Sequence, residues 1–312
     1  MATDDMLAAA EIGYRKADEL VKFRDRELRQ RAKAIAAAPK VAAGLEAAVA
    51  PEAMMAAAGP LSIGTLVAEG DSWFDYPLND VLRFLEDRHG YDVESAAHAG
   101  DSVEQMAYSN GQLEEFLRRI EKLLRRGVVP KAIVLSGGGN DLAGPEFAML
   151  LNHAESSIAG LSDPILRGVI DERLRTAYVV ILSSVTRACE VRVGRKLPIV
   201  VHGYDYPVPD GRGVGGVFGF LPGPWLEPGF RVKGFSHLDD RRAIIVVLID
   251  RFNKMLAEVA ARPGFEHVHH IDLRRTLTSA NYKADWANEL HPTAKGFEAV
   301  AKKFAAVIAG LP

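Results

Sequence analysis

LVAEGDSWFDYP, residues 66–77, joins a short apolar run to a Gly-Asp-Ser turn and then to three aromatic residues. An apolar run of this length is typical of a buried strand. Ser72 therefore lies just beyond a predicted strand end, where an α/β sheet presents side chains to ligands. Taken alone, this stretch fits a turn or helix-capping serine better than a reactive one, so the interpretation depends on the rest of the chain.

Strands and helices alternate along the chain on the C-terminal side of this stretch. Apolar runs that predict further strands occur within 91–100, 132–135, 197–206 and 267–272. Helical spacing occurs over 81–90, 102–127, 165–190, 237–262 and 297–311. The order begins βαβαβ and predicts a three-layer α/β/α sandwich with a mostly parallel central sheet. Functional side chains are then expected at the carboxyl ends of the strands.

The first 60 residues differ in character from the rest. Residues 4–37 have helical spacing among many charges, and the alanine-rich tract 41–59 predicts one or two short helices between prolines and glycines. We therefore divide the chain into a helical N-terminal extension, 1–60, and an α/β domain, 61–312. The extension is expected either to pack on the domain or to pair with a second subunit, which predicts self-association as one alternative.

Composition excludes several classes of protein. The 312 residues are 48% hydrophobic and 25% charged, as in an ordinary globular protein. With 38 basic and 41 acidic residues the net charge is -3, so no global positive field exists to attract nucleic acid. No stretch approaches the roughly 18 apolar residues of a membrane span, and the N-terminus lacks a signal-peptide pattern. We expect a cytoplasmic protein without a nucleic-acid partner.

Three further motifs follow GDSW, residues 70–73, in order along the chain. They are HAG at 98–100, GGND at 138–141 and LHPTAKGF at 290–297. Together the four blocks resemble those of the SGNH hydrolases, also called the GDSL family of lipases and esterases. The resemblance covers about residues 61–312 and implies the α/β/α fold, ester hydrolysis and no cofactor.

The resemblance also implies roles for individual residues. Ser72 corresponds to the nucleophile and His291 to the base that activates it, because a serine hydroxyl attacks a carbonyl only when an imidazole removes its proton. The backbone amides of Ser72 and Gly100 and the side-chain amide of Asn140 correspond to the donors that stabilise the oxyanion. A glycine at position 100 also lets the substrate approach the backbone closely.

One position departs from the family pattern. The family usually carries Asp-x-x-His, whereas this chain has Asn288 three residues before His291. An asparagine accepts a hydrogen bond from imidazole but brings no charge. We expect Asp285 to orient the ring, with Asn288 or a backbone carbonyl in a Ser-His dyad as alternatives. Glu289 is expected to be a solvated side chain.

The predicted partner is a small-molecule ester with an apolar acyl or aryl group, bound on an apolar surface. The segment 209–230 is long, glycine-rich and aromatic, which predicts a lid or a pocket wall; packing on the sheet edge is the alternative. The candidate substrate-binding residues are Trp73, Tyr204, Phe218, Phe220 and Trp225. We expect hydrolysis of small to medium carboxylic esters through an acyl-enzyme. Acyl transfer or thioester hydrolysis at the same site, and a catalytically weakened ligand-binding protein, are the alternatives.

Two other motifs are interpreted as structural. The triple glycine 137–139 lacks the lysine of a phosphate-binding loop. His267, His269 and His270 have no acidic or cysteine partner at a metal-binding spacing. We therefore predict neither a metal site nor a cofactor, and we interpret the single cysteine, Cys189, as structural.

Overall fold

The computed structural model describes residues 2–37, 62–109, 111–214, 223–278 and 280–312. A five-stranded parallel sheet forms the centre, with strand order β2-β1-β3-β6-β7, and a two-stranded antiparallel pair, β4-β5, lies outside it. The strands are β1 Thr65–Glu69, β2 Asp92–Ser95, β3 Ala132–Leu135, β4 Leu151–Asn152, β5 Gly160–Leu161, β6 Ile199–His202 and β7 Val268–Ile271.

The three central strands are buried on both faces. All four residues of β3 and of β6 are buried, as are four of the five residues of β1. Strands covered on both faces are continuous apolar runs rather than alternating ones, which explains the sequences of these three. Edge strand β2 is partly exposed and more polar. The mostly parallel sheet predicted from the sequence is confirmed.

Helices cover the sheet in two groups. They are α1 Ala2–Ala37, α2 Val81–His89, α3 Val103–Tyr108, α4 Gln112–Arg125, α5 Gly139–Leu142, α6 Asp163–Leu166, α7 Arg175–Val193, α8 Glu227–Val232, α9 Leu238–Ala260 and α10 Ala294–Ala309. Helix α2 packs against α10, whereas α3, α4 and α9 pack against α7. The resulting three-layer α/β/α arrangement agrees with the sequence-based prediction. Among the described residues, no helix is both long and apolar enough to cross a membrane.

Several boundaries differ from the predicted ones. The single helix predicted over 102–127 is divided into α3 and α4, because Gly111 adopts a left-handed conformation with φ of 86°. A π-helical stretch, Arg167–Leu174, joins α6 to α7 without interruption. A 3-10 helix, Pro145–Leu150, precedes the β4-β5 pair in a segment without a clear sequence period.

The N-terminal helix lies on the α/β domain. Ala9 and Ala17 of α1 are buried, and α1 packs along α7. The hydroxyl of Ser184 donates to the carbonyl of Gly13 at 3.0 Å, and Asp18 pairs with Arg187 at 2.9 Å. Of the two alternatives for the extension, packing on the domain is therefore observed for α1. Self-association stays a prediction, and the alanine-rich tract 41–59 lies outside the described residues.

Candidate active site

Ser72 lies in a tight turn at the carboxyl end of β1. At Gly70 an added Cβ would lie 2.7 Å from Cβ of Ser136, so only glycine allows β1 to continue into the turn at this distance from β3. Asp71 is buried, and its Oδ1 accepts hydrogen bonds from the amide of Trp73 at 3.0 Å and from the hydroxyl of Ser136 at 2.7 Å. These bonds fix the turn and leave the Ser72 side chain half-buried at the sheet edge.

The imidazole of His291 contacts the Ser72 hydroxyl. Nε2 of His291 lies 2.7 Å from Oγ of Ser72, although the two residues are 219 positions apart. Nδ1 lies 3.0 Å from Oδ1 of Asn288. That oxygen also accepts the backbone amides of Leu290 at 3.0 Å and His291 at 2.8 Å. Three donors converge on this oxygen, so the network assigns the proton to Nδ1 and leaves the Nε2 lone pair facing the serine hydroxyl.

The expectation that Asp285 orients the histidine is corrected by this arrangement. Oδ1 of Asp285 pairs with Nζ of Lys295 in the first turn of α10, at 3.1 Å. Its backbone is also committed, because its amide donates to Tyr282 at 3.0 Å and its carbonyl accepts from Thr293 at 2.8 Å. These bonds direct the carboxylate toward α10, and Asn288 occupies the position at Nδ1.

Aromatic rings enclose the imidazole. Tyr76 stacks on its face, with ring centroids 4.2 Å apart and an interplanar angle of 20°, and Trp225 meets it edge-on at 5.4 Å. The amide of Asn288 donates to the Tyr76 hydroxyl at 3.2 Å. Burial lowers the pKa of His291 to about 3, because desolvation disfavours the imidazolium. The ring is therefore neutral at neutral pH, as a proton acceptor must be.

The candidate oxyanion donors lie in the loops that follow β2 and β3. Gly100 is exposed and has a left-handed φ of 97°. Its loop is held against the Ser72 turn by the amide of His98, which donates to the carbonyl of Gly70 at 2.9 Å. Asn140 lies in the first turn of α5, and Nδ2 donates to the carbonyl of Asp101 at 2.9 Å. An amide carries two N–H bonds, so the second remains to meet a substrate oxygen. The role of each donor stays a prediction.

Close packing explains a glycine in the middle of the triple glycine 137–139. At Gly138, where φ is 103°, an added Cβ would lie 2.4 Å from Cζ of Phe252 in α9. The loop before Asn140 therefore passes directly over an aromatic ring, and a larger residue would displace it. Glycine is required here by close packing and by the left-handed backbone.

An apolar pocket opens beside Ser72. Its space, including the open mouth, is about 540 Å³. Trp73 and Tyr204, both predicted to bind substrate, line it together with Leu226 and Ile245. Trp225 contacts His291 instead. Phe218 and Phe220 lie outside the described residues.

Glu289 was expected to be solvated, and the structure shows it fully buried. Its Oε1 accepts the backbone amides of Gly211 at 2.9 Å and Glu227 at 3.0 Å, and its Oε2 accepts those of Trp225 at 2.6 Å and Leu226 at 2.8 Å. Four amide donors compensate the buried carboxylate. Glu289 thus joins both ends of the segment around 209–230 to the chain that carries His291. In the sequence, the only indication of this role was the position of Glu289 between Asn288 and His291.

The histidines of the β7 region have separate environments. Nε2 of His267 lies 2.7 Å from the hydroxyl of Thr186, and burial lowers the pKa values of His267 and His270 to about 4. Within the part of the chain that the structure describes, no group of three or more His, Cys, Asp or Glu side chains is arranged to hold a metal ion.

The family model described as GDSL-like Lipase/Acylhydrolase family matches residues 64–299. No curated protein matches. Similar solved structures include a catalytic mutant of an acetylxylan esterase from Geobacillus stearothermophilus, with 12% identity, 80% of this chain and 96% of that chain covered, and a TM-score of 0.41.

Two further solved structures have comparable similarity. A putative SGNH hydrolase from Slackia heliotrinireducens has 15% identity, a TM-score of 0.44, and coverage of 78% of this chain and 97% of that chain. An extracellular lipase from Streptomyces rimosus has 16% identity, a TM-score of 0.42, and coverage of 78% and 99% respectively.

Proposed function

The chain belongs to the GDSL-like lipase/acylhydrolase family, and we propose that it hydrolyses small to medium carboxylic esters through an acyl-enzyme on Ser72. Ester hydrolysis in general terms follows from the family; the substrate range and the covalent intermediate are the proposal. The observation that carries it is the distance of 2.7 Å between Nε2 of His291 and Oγ of Ser72. This distance lies within the range at which a base takes a proton from a nucleophile.

The proposed reaction has two balanced halves. Oγ of Ser72 attacks the carbonyl carbon, its proton passes to Nε2 of His291, and the carbonyl electron pair moves to oxygen. The amides of Ser72, Gly100 and Asn140 stabilise that oxyanion. The C–O bond then breaks, and the imidazolium gives its proton to the departing alcohol. Water repeats the attack with His291 as base, which releases the carboxylic acid and restores the hydroxyl.

Asn288 determines how strong this base is. In a serine protease, replacing the triad aspartate by asparagine costs about 10⁴ in rate because the histidine adopts the wrong tautomer. Here Oδ1 of Asn288 accepts three N–H groups and supports the productive tautomer. The contribution that is missing is only the stabilisation of the imidazolium by a negative charge. We therefore infer a working but weaker base than an aspartate would support.

The pocket supports the proposed substrate class. Its walls are largely apolar, with Leu142, Leu226, Ile245 and Leu248 among the lining residues. Burial of apolar groups from the substrate is the main interaction that such walls offer. Uncharged, apolar acyl groups are therefore favoured over charged ones.

Substitution of the nucleophile tests the proposal. Ser72→Ala should abolish hydrolysis of p-nitrophenyl acetate and butyrate and eliminate labelling by a fluorophosphonate. Ser157→Ala, which changes an exposed serine, serves as the matched control and should behave as the wild type. Retained hydrolysis in Ser72→Ala would refute the assignment of the nucleophile.

A ligand-binding protein with little turnover is the second candidate, favoured by the uncharged partner of His291. Saturable binding of an unreactive ester analogue, with no turnover of any ester in a series graded by acyl length, would support it.

Acyl transfer and thioester hydrolysis use the same first half-reaction, so product analysis with competing alcohols and with thioesters separates them. The cytoplasmic location and self-association remain predictions, to be measured by cell fractionation and sedimentation.

A further inference from the structure

We propose that Tyr204 is a positioning residue whose hydroxyl holds the nucleophile turn and the Asn140 loop in one arrangement. This inference rests on the proposed function and goes beyond the pocket-lining role expected from the sequence. It assigns to the tyrosine an effect on turnover rather than on substrate affinity.

The hydroxyl of Tyr204 joins three strand ends. It donates to Oδ2 of Asp71, the residue before the nucleophile, and it accepts the backbone amide of Gly139, the residue before Asn140, at 3.1 Å. Asp71 follows β1, Gly139 follows β3, and Tyr204 follows β6. One oxygen atom therefore connects the segment that carries the nucleophile to the segment that carries a candidate oxyanion donor.

The ring of Tyr204 is held independently of its hydroxyl. It is 5% exposed, meets Trp73 edge-on with centroids 5.0 Å apart, and stacks on Phe252 at 5.8 Å. Its carbonyl accepts Nδ2 of Asn253 at 3.2 Å. Because packing already fixes the ring, removal of the hydroxyl alone should leave the side chain in place.

Of the two partners of the hydroxyl, Asp71 is buried and Gly139 is partly buried. Oδ1 of Asp71 bonds the amide of Trp73 and the hydroxyl of Ser136, whereas Oδ2 bonds Tyr204. Burial keeps the pKa of Tyr204 well above its ordinary value, so the phenol stays a donor at neutral pH. A buried polar group that loses its partner is costly, and its segment moves to find another. Without the hydroxyl, both the turn and the loop are expected to shift.

Tyr204→Phe tests this inference directly. Small displacements of catalytic groups cost up to about 100-fold in rate, so we expect kcat to fall by roughly 10- to 100-fold and KM to change less than about twofold. The matched control is Tyr206→Phe, which also removes a hydroxyl bonded to a carboxylate, that of Asp250 at 2.7 Å, from the same segment. The control should keep the wild-type kcat.

Rates are expressed per active site titrated with a fluorophosphonate, so that loss of folded protein does not count as loss of turnover. A wild-type kcat in Tyr204→Phe overturns the inference. A lower melting temperature with unchanged kcat per titrated site also overturns it, since that result describes a structural tyrosine. If Ser72→Ala remains active, it is the proposed function that fails, whatever Tyr204→Phe does.

A double-mutant cycle tests the connection to the loop. If Tyr204 acts by positioning the segment of Asn140, the losses in kcat for Tyr204→Phe and Asn140→Ala should be less than additive when combined. Full additivity would overturn the proposed connection to Asn140.

Discussion

Oδ1 of Asn288 accepts the Nδ1–H of His291 at 3.0 Å, in the place where the family motif carries a carboxylate. The same oxygen accepts two backbone amides, and Nδ2 donates to Tyr76. Orientation of the ring is thus retained without charge. Orientation and charge, which a triad aspartate provides together, are separated in this site.

Restoring the charge should increase the rate. Asn288→Asp keeps the size of the side chain and the three donors to its oxygen. A hydrogen bond to a charged group exceeds a neutral one by about 1 to 1.5 kcal/mol, so kcat should rise roughly tenfold. The measurement is kcat for p-nitrophenyl butyrate. Asn281→Asp, at the cap of the 3-10 helix Tyr282–Ala284, controls for the added charge. A lower kcat in Asn288→Asp would contradict the separation of the two roles.

The pH dependence of hydrolysis should extend far into acid. His291 has a pKa of about 3, and the base is functional above its pKa, so kcat/KM should stay constant from pH 7 to about 4 and fall below that. In Asn288→Asp the new carboxylate raises the pKa of the ring, which moves this decrease to higher pH. A wild-type decrease centred near pH 6 would contradict the assigned environment.

Folding must be followed in the same experiment. His291 is neutral when folded down to a pKa of about 3, whereas its ordinary pKa is 6.5. Below pH 6.5 the unfolded chain therefore binds the additional proton, and this group lowers stability progressively as the pH falls toward 3. Circular dichroism at each pH separates loss of fold from protonation of the base.

Glu289 should affect both stability and activity. Glu289→Gln replaces one acceptor oxygen by an NH₂ group, which would face two of the four amide donors. Each buried amide left without a partner costs about 1 to 3 kcal/mol. We expect a loss of about 2 to 6 kcal/mol in the free energy of unfolding together with a lower kcat/KM.

Urea denaturation and steady-state kinetics measure these two effects. Glu298→Gln, an exposed change seven residues after His291, is the matched control and should alter neither. Wild-type stability in Glu289→Gln would show that the four hydrogen bonds do not support the segment.

The contact between α1 and α7 depends on a glycine. At Gly13 an added Cβ would lie 2.9 Å from Cβ of Ser183 and from the carbonyl oxygen of Val180. Gly13→Leu should force the helices apart and cost about 1 to 3 kcal/mol, with kcat unchanged because the site lies at the strand ends. Thermal denaturation measures the loss. Ala8→Leu on the exposed side of α1 should have no such effect, and equal melting temperatures for the two variants would contradict the packing.

The sequence predicts most of the fold because its central strands are continuous apolar runs separated by helical periods. It also predicts which segments approach one another at the site, because Ser72 and His291 belong to recognisable motifs. Gly111 divides a predicted helix because its backbone is left-handed, and the spacing of apolar residues does not reveal such a local change of conformation.

The errors concern side chains whose hydrogen-bond partners the sequence does not identify. Glu289 bonds amides more than sixty positions away, and no residue type in the sequence identifies an amide as a partner. Asp285 was expected at the imidazole by proximity along the chain, but its backbone bonds turn it toward α10. The hydrogen bonds between the hydroxyl of Tyr204 and residues 71 and 139 also join positions that are far apart in the sequence, and the sequence does not predict them.

Glu289 has a consequence for engineering. Residues 211 and 225–227 depend on one carboxylate that is supplied by the turn carrying the histidine. If this segment were replaced by that of a homologue to alter selectivity, the backbone amides of the new segment would have to bind the carboxylate of Glu289, which lies outside the replaced segment. A graft across 209–230 should therefore succeed only when the residue at position 289 is taken from the same homologue as the two ends of the grafted segment.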